Sequence, residues 1–84
     1  MEVRIGKVTH YWDHIGAAGI ELTGELKVGD KIHIKGHTTD IEQPVGSIQI
    51  EHVQVDKAGA GDSIGIKVID HVREHDDVYL VTAE

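Results

Sequence analysis

Two histidines and a glutamate lie within five residues at positions 71–75, which read HVREH. On an α-helix, this H-x-x-E-H spacing places both imidazoles on one face about a turn apart, where they bind a single zinc ion beside a glutamate that activates water for hydrolysis. On a strand, the same imidazoles would lie about 13 Å apart, which is too far for two ligands of one ion. His71 and His75 are therefore candidate metal ligands only if a helix carries them.

The remaining histidines repeat this spacing. Six of the seven form pairs four residues apart, namely His10 with His14, His33 with His37, and His71 with His75. If strands carry the pairs, the two histidines of a pair are too far apart to bind one ion. A metal site would then have to be built across strands, from one histidine of each pair. That cross-strand site stays open as an alternative, and otherwise we expect neither a metal ion nor a cofactor.

The elements that carry these residues are predicted from apolar spacing. Apolar residues recur at every second position, the period of a half-buried strand, in residues 3–5, 20–22, 32–34, 48–50, 53–55, 64–68 and 78–82. The parity changes around Glu51 and His52, which predicts a bulge or a sharp bend there. No segment has helical spacing with caps at both ends. The chain is therefore predicted to be all-β, and its HVREH segment not to be a zinc peptidase motif.

Length and charge limit the architecture and the partners. With 84 residues, the chain has room for one domain, 1–84, and closing about six antiparallel strands into a small barrel would remove exposed sheet edges. The formal net charge of −7 opposes binding along a nucleic-acid duplex. The first ten residues have no continuous apolar run, and cysteine is absent. We therefore expect a soluble, cytoplasmic protein that does not enter a membrane.

Other catalytic arrangements are incomplete. Residues 24–31 contain two glycines at the spacing of a phosphate-binding loop, but Asp30 stands where the lysine should be and no helix follows. The two serines, Ser47 and Ser63, lie in or beside predicted strands without the flanking glycines of a nucleophile elbow. We therefore expect that the protein is not an enzyme.

Four segments carry a resemblance to a known family. They are residues 6–8 (GKV), 24–34 (GELKVGDKIHI), 45–50 (VGSIQI) and 58–66 (AGAGDSIGI). In this order they resemble the second domain of translational GTPases such as elongation factor Tu, which is a β-barrel. The chain is more similar still to stand-alone translation elongation factor-like proteins and to the C-terminal barrel of collagenase-like peptidases. The GTP-binding domain has no counterpart in these residues, so no GTP binding is expected.

The resemblance implies a site for the acceptor end of transfer RNA. In elongation factor Tu, this barrel helps to hold that end through an acidic residue and an arginine, and the matching positions here are Gln49 and His52. Neither residue type is retained, although an amide can contact a base edge and an imidazole can stack on a base. The alternative is that Gln49 and His52 are ordinary exposed strand residues.

Tyr11 and Trp12 are a further candidate binding patch. They precede Gly16 in a chain without phenylalanine and are predicted to lie in a loop, where they could stack on bases or anchor a protein, or else cap one end of the barrel. Two functions follow from the resemblance. One is a non-catalytic module that binds transfer RNA or a ribosomal component, and the other is an accessory subunit that docks on a larger enzyme such as a collagenase-like peptidase.

Overall fold

The computed structural model describes residues 1–82, in which ten β-strands and no helix occur. The strands are β1 (Glu2–Trp12), β2 (Ala17–Leu22), β3 (Leu26–Lys27), β4 (Lys31–Lys35), β5 (Asp40–Pro44), β6 (Ile48–Ile50), β7 (Val53–Val55), β8 (Lys57–Ala58), β9 (Ser63–Lys67) and β10 (Asp77–Val81). The all-β prediction is thus confirmed, and each apolar run predicted from the sequence corresponds to a strand. No segment within residues 1–82 forms a helix that could span a membrane.

Eight of the strands form one antiparallel sheet in the order β5-β4-β10-β1-β2-β9-β6-β7, while β3 pairs only with β8 in a second, two-stranded sheet. Within the described residues, the edge strands β5 and β7 do not pair with each other. The closed barrel of about six strands predicted from the sequence is therefore not confirmed. Sequence alternation specifies which residues face inward, but it does not specify whether the two edges of a sheet meet.

The core is aliphatic, with Ile and Val contributing most of its side chains. The buried side chains come from β1, β2, β3, β4, β6, β8, β9 and β10 and from two connecting segments. Strand β1 is irregular, because its pairing shifts between Arg4 and Gly6 and again between Val8 and His10. Each shift changes which face the following residues present. As a result, residues at three-residue spacing in β1 (Ile5, Val8 and Tyr11) all contact the core.

Two turns are each built on a glycine followed by an aspartate. Gly29 and Gly61 have φ values of 99° and 92°, which glycine adopts without steric cost. The aspartate that follows each glycine accepts a backbone hydrogen bond from three residues upstream: Asp30 Oδ2 from the Lys27 N–H at 3.0 Å, and Asp62 Oδ2 from the Gly59 N–H at 2.9 Å. The glycine–aspartate pairs are therefore structural elements of the turns.

The change of parity near residue 51 is a two-residue hairpin turn. Glu51 and His52 both have positive φ, at 49° and 67°, and they connect β6 to β7. Positive φ at both central residues is the geometry of the type I′ turn, which suits the twist of antiparallel hairpins. The predicted sharp bend is confirmed, and His52 belongs to that bend rather than to a strand.

A buried glutamine links edge strand β5 to the end of β9. The Gln43 side chain donates to the Lys67 carbonyl at 2.7 Å, and its oxygen accepts from the Ile69 N–H at 2.8 Å. Both polar ends of the amide are thus satisfied inside the protein, as a buried polar side chain requires. This inward-facing polar residue also explains why apolar spacing does not predict β5.

Candidate functional site

The HVREH segment lies in an irregular loop that ends in a turn just before β10, without a helix. Val72 is fully buried, whereas His71 and His75 are exposed. The His71 ring packs on Tyr11, with ring centroids 4.5 Å apart, while His75 lines a shallow groove with His37 and Tyr79. The two histidines therefore have separate surroundings, and the helical geometry that a zinc peptidase motif needs is absent from this loop.

The loop is held in place by Asp76. Its Oδ2 accepts from the Arg73 N–H at 2.9 Å, and its main-chain carbonyl accepts from the Val8 N–H at 2.8 Å. The adjacent His75 donates its N–H to the Val8 carbonyl at 2.8 Å and adopts a positive φ of 76°. Asp76 is buried, and its carboxylate lies directly against Gly36. The glutamate and histidines of HVREH are thus displayed on a turn that Asp76 and Gly36 shape.

Tyr11 and Trp12 form the last two residues of β1, so the prediction that they lie in a loop is wrong. Tyr11 faces inward and packs on the core. Trp12 lies on the opposite face, over Gly19 of β2, where an added Cβ would approach the indole at 3.2 Å. The His10 ring packs on Trp12 with centroids 4.6 Å apart. The two aromatic residues therefore cover opposite faces and do not form one stacking platform.

Gln49 and His52 are both exposed, at the hairpin formed by β6 and β7. Gln49 lies opposite Gln54 across the hairpin and opposite Gly65 of β9. Gly65 in turn pairs with Gly19 of β2, the glycine that the Trp12 indole covers, so Gln49 lies in the same cross-strand row as Gly19, two strands away. The two residues predicted to hold a transfer RNA end are thus accessible, and Gln49 shares the outer face of the sheet with Trp12, whereas Tyr11 packs on the core.

A polar cluster that the sequence did not indicate lies on the outer face of the sheet around His33. The ring is flanked on both sides: Nδ1 lies 2.8 Å from Glu2 Oε2, and Nε2 contacts Asp40 Oδ1. Glu42 of β5 lies opposite His33 in the register of the ladder. Although its partners are more exposed, the His33 side chain is only 12% exposed. The hydrogen bond that the His33 ring donates to the Asp40 carboxylate, together with the contact with Glu2, raises the pKa of His33 above 6.5 despite partial desolvation.

The raised pKa predicts how stability depends on pH in metal-free buffer. Because folding raises the pKa of His33, the stabilisation is fully present below the unfolded pKa of about 6.5 and is lost as the pH rises through the folded value. We expect His33→Asn to remove this contribution, which is below about 1 kcal/mol because Asp40 is largely exposed.

Urea unfolding at about pH 5.5 and pH 8.5 measures the effect. The difference in unfolding free energy between wild type and His33→Asn should be larger at the lower pH. His14→Asn is the matched control, because His14 is exposed and forms an ion pair with the neighbouring, exposed Asp13 at 4.0 Å. An equal difference at both pH values would contradict the role of His33.

Three exposed apolar residues lie at or beside the turn from β1 to β2. The Val68 N–H donates to the Gly16 carbonyl at 2.9 Å. Ile15 precedes Gly16 and Ile69 follows Val68, so both isoleucines lie next to this hydrogen bond. Ile15 is 58% exposed and Ile69 is 72% exposed. Trp12, 37% exposed, precedes the same turn and accepts the Gly16 N–H at 2.9 Å. We call Trp12, Ile15 and Ile69 the apolar end.

Comparisons with known proteins point to peptidases. The chain is 42% identical over 81 residues to an uncharacterized protease of Methanocaldococcus jannaschii, covering 95% of this chain and 20% of that protein. It is 40% identical over 80 residues to a collagenase of Porphyromonas gingivalis, covering 93% of this chain and 19% of that enzyme. The chain thus spans about one fifth of the length of these relatives. No family model matches the chain.

Solved structures share the fold. The C-terminal domain of a Geobacillus thermoleovorans protein assigned as a U32 peptidase superposes with a TM-score of 0.89, covering 94% of this chain and 92% of that domain at 18% identity. Its selenomethionine variant gives a TM-score of 0.86. The chain is therefore similar to the C-terminal domains of collagenase-like peptidases, as one part of the sequence resemblance implied. These similarities do not support the translation-factor part of that resemblance.

Proposed function

We propose that this chain is a non-catalytic β-domain that docks on the catalytic part of a collagenase-like peptidase, within one chain or between chains. The chain matches about one fifth of the length of such proteins. The remaining four fifths would contain the catalytic part, which supports this role. A whole-chain match in fold to a C-terminal peptidase domain is consistent with one compact module. The observation that carries the proposal is the apolar end.

The apolar end has the chemistry of a docking contact. Removing an exposed Ile or Trp side chain from water is worth roughly 1.5–3 kcal/mol, and an aromatic residue beside aliphatic ones is typical of the centre of an interface. The chain has a net charge of −7. The charged residues on the rest of its surface would stay solvated around such an apolar contact. A cluster of exposed apolar residues at one end therefore favours burial against another protein surface.

Transfer RNA binding is the weaker function for this surface. The acidic charge of the chain repels phosphate, and neither Gln49 nor His52 belongs to the apolar end. Under the docking proposal, the catalytic part of the peptidase carries out hydrolysis. The HVREH segment of this chain then has a structural role in the turn before β10. No catalytic residue is then required of this domain.

Binding to a truncated peptidase tests the proposal. A collagenase-like peptidase that lacks the region matching this chain is titrated with the purified 84-residue protein in a calorimeter. We expect saturable binding, weakened at least tenfold by the double variant Ile15→Asp, Ile69→Asp, because two charges would be placed in an apolar contact. Val53→Asp is the matched control, since Val53 is 63% exposed but lies in the β6–β7 hairpin.

Two results would overturn the proposal. One is no heat of binding, and no comigration in size-exclusion chromatography, with the truncated peptidase. The other is equal weakening by Val53→Asp and by the double variant, which would mean that the apolar end is not the contact. Circular dichroism of each variant checks that the fold is retained.

A further inference from the structure

We propose that Glu2, His33 and Glu42 bind a divalent transition-metal cation, with Zn²⁺ as the ion that best fits the donors. One ligand atom from each residue lies within 4.8 Å of those of the other two. An imidazole with two carboxylates is a donor set that Zn²⁺ accepts, and a fourth position would hold water. This site is separate from the apolar end and does not depend on the proposed docking function.

The distances require little movement. Zinc–nitrogen and zinc–oxygen bonds are about 2.1 Å, so two donors on one ion lie at most about 4.2 Å apart. In a tetrahedral site the donors lie about 3.4 Å apart. The Glu2–His33 contact of 2.8 Å would therefore lengthen by about half an ångström, and donors near the 4.8 Å limit would approach by more than an ångström, which the flexible side chains of Glu2 and Glu42 allow. The sheet fixes the third ligand, because His33 lies in β4 between β10 and β5, directly opposite Tyr79 and Glu42.

Asp40 occupies the position of a supporting group. Histidine ligands in proteins almost always donate the second ring N–H to a carboxylate or a carbonyl, which fixes the tautomer and strengthens the bond to the metal. Here Nδ1 faces Glu2, and Nε2 contacts the Asp40 carboxylate. With Asp40 accepting from Nε2–H, Nδ1 is left as the free electron pair on the side of Glu2. The ring is thus oriented as a metal ligand would be.

The local charge favours a cation. When the imidazole is neutral, the carboxylates of Glu2, Asp40 and Glu42 place three negative charges around it. The Nζ of Lys31 lies 3.3 Å from Glu42 Oε1, and this exposed pair would be exchanged for the metal bond. A bound ion would replace the contact between His33 and Glu2 by two bonds to the same cation. It would also connect β1 to edge strand β5 across β10 and β4.

Calorimetric titration of the full chain with Zn²⁺ tests the site, with thermal unfolding and imidazole NMR in parallel. We expect one equivalent to bind, the melting temperature to rise and the ring signals of His33 to move first. His33→Asn and Glu42→Gln should each weaken binding at least tenfold. Asp40→Asn should weaken it by about 10–100-fold without removing a direct ligand. Glu42→Gln changes an exposed side chain, so a folding defect would not obscure the result.

The controls separate this site from the other histidines. His14→Asn and the double variant His71→Asn, His75→Asn should leave the affinity unchanged, because these exposed residues lie outside the cluster. If Zn²⁺ does not bind or raise the melting temperature, the proposed site is wrong. It is equally wrong if His33→Asn retains wild-type affinity while the His71 and His75 variant loses it.

Discussion

Replacement of Gly6 by alanine is expected to destabilise the fold by about 3 kcal/mol and to lower Tm by more than about 10 °C. Gly6 lies in β1 between β10 and β2, opposite Val78 on one side and Leu22 on the other. A Cβ there would lie 2.5 Å from the Glu21 carbonyl oxygen. Because that oxygen belongs to the backbone of a paired strand, relief of the overlap requires the β1–β2 pairing to shift.

Gly65→Ala is the matched control for this prediction. Gly65 also lies within a paired strand, β9, but an added Cβ there has no neighbouring atom within 4 Å. Alanine restricts the unfolded chain more than glycine does, so Gly65→Ala should be neutral or stabilising by up to about 1 kcal/mol. Both variants are compared by thermal and urea unfolding. A Gly6→Ala protein as stable as Gly65→Ala would contradict the close approach of β1 and β2.

The second large effect is expected at Gly36, which contacts the loop before β10. A Cβ at Gly36 would overlap the carboxylate of Asp76, which is buried and hydrogen-bonded to the Arg73 N–H. Moving that carboxylate would leave a backbone donor without its partner. We expect Gly36→Ala to cost about 2–3 kcal/mol, as measured by urea unfolding. Gly46→Ala, at a loop position with open space, is the control.

A double-mutant cycle assigns the cost to this contact. Asp76→Ala alone should destabilise the protein, because the Arg73 N–H loses its acceptor. In the Asp76→Ala background, Gly36→Ala should add less than about 0.5 kcal/mol, since the overlapping carboxylate has gone. Additive effects would show that Gly36 and Asp76 are not coupled, and the account of how the HVREH loop is positioned would be wrong.

The strands were predictable because their buried faces are aliphatic and regularly spaced. The runs around Ile20, Ile34 and Ile64 alternate without interruption, and each lies in a strand with that face buried. Strand β5 was missed because its inward residue is Gln43, whose polarity hides the alternation. Strands β3 and β8 have two residues each, too few for any period to be recognised.

The aromatic pair shows how a bulge misleads sequence analysis. The pairing shift between Val8 and His10 adds a residue to β1, so that Tyr11 faces inward and Trp12 faces outward. The two-residue period of Val3 and Ile5 does not continue to Val8, and Tyr11 and Trp12 were predicted to lie in a loop because they precede Gly16. Bulges depend on the partner strand as much as on the local sequence, which is why this one was not predicted.

The His33 cluster was missed because its members are distant in sequence and meet only through strand order. The four-residue spacing drew attention to His33 with His37, whereas the partners of His33 are Glu2, Asp40 and Glu42. Glu2 reaches His33 because β10, the last described strand, inserts between β1 and β4. The sequence left open a cross-strand metal site made of histidines, whereas the tertiary structure places carboxylates beside His33.

The most direct test of the docking role is a two-dimensional amide NMR spectrum of the labelled protein with the truncated collagenase-like peptidase. A parallel titration uses a transfer RNA minihelix ending in CCA. We expect localised shifts at Trp12, Ile15 and Ile69 with the peptidase, and an unchanged spectrum with the RNA. Shifts at Gln49 and His52 on addition of the minihelix, with no response to the peptidase, would contradict docking and favour an RNA-binding function.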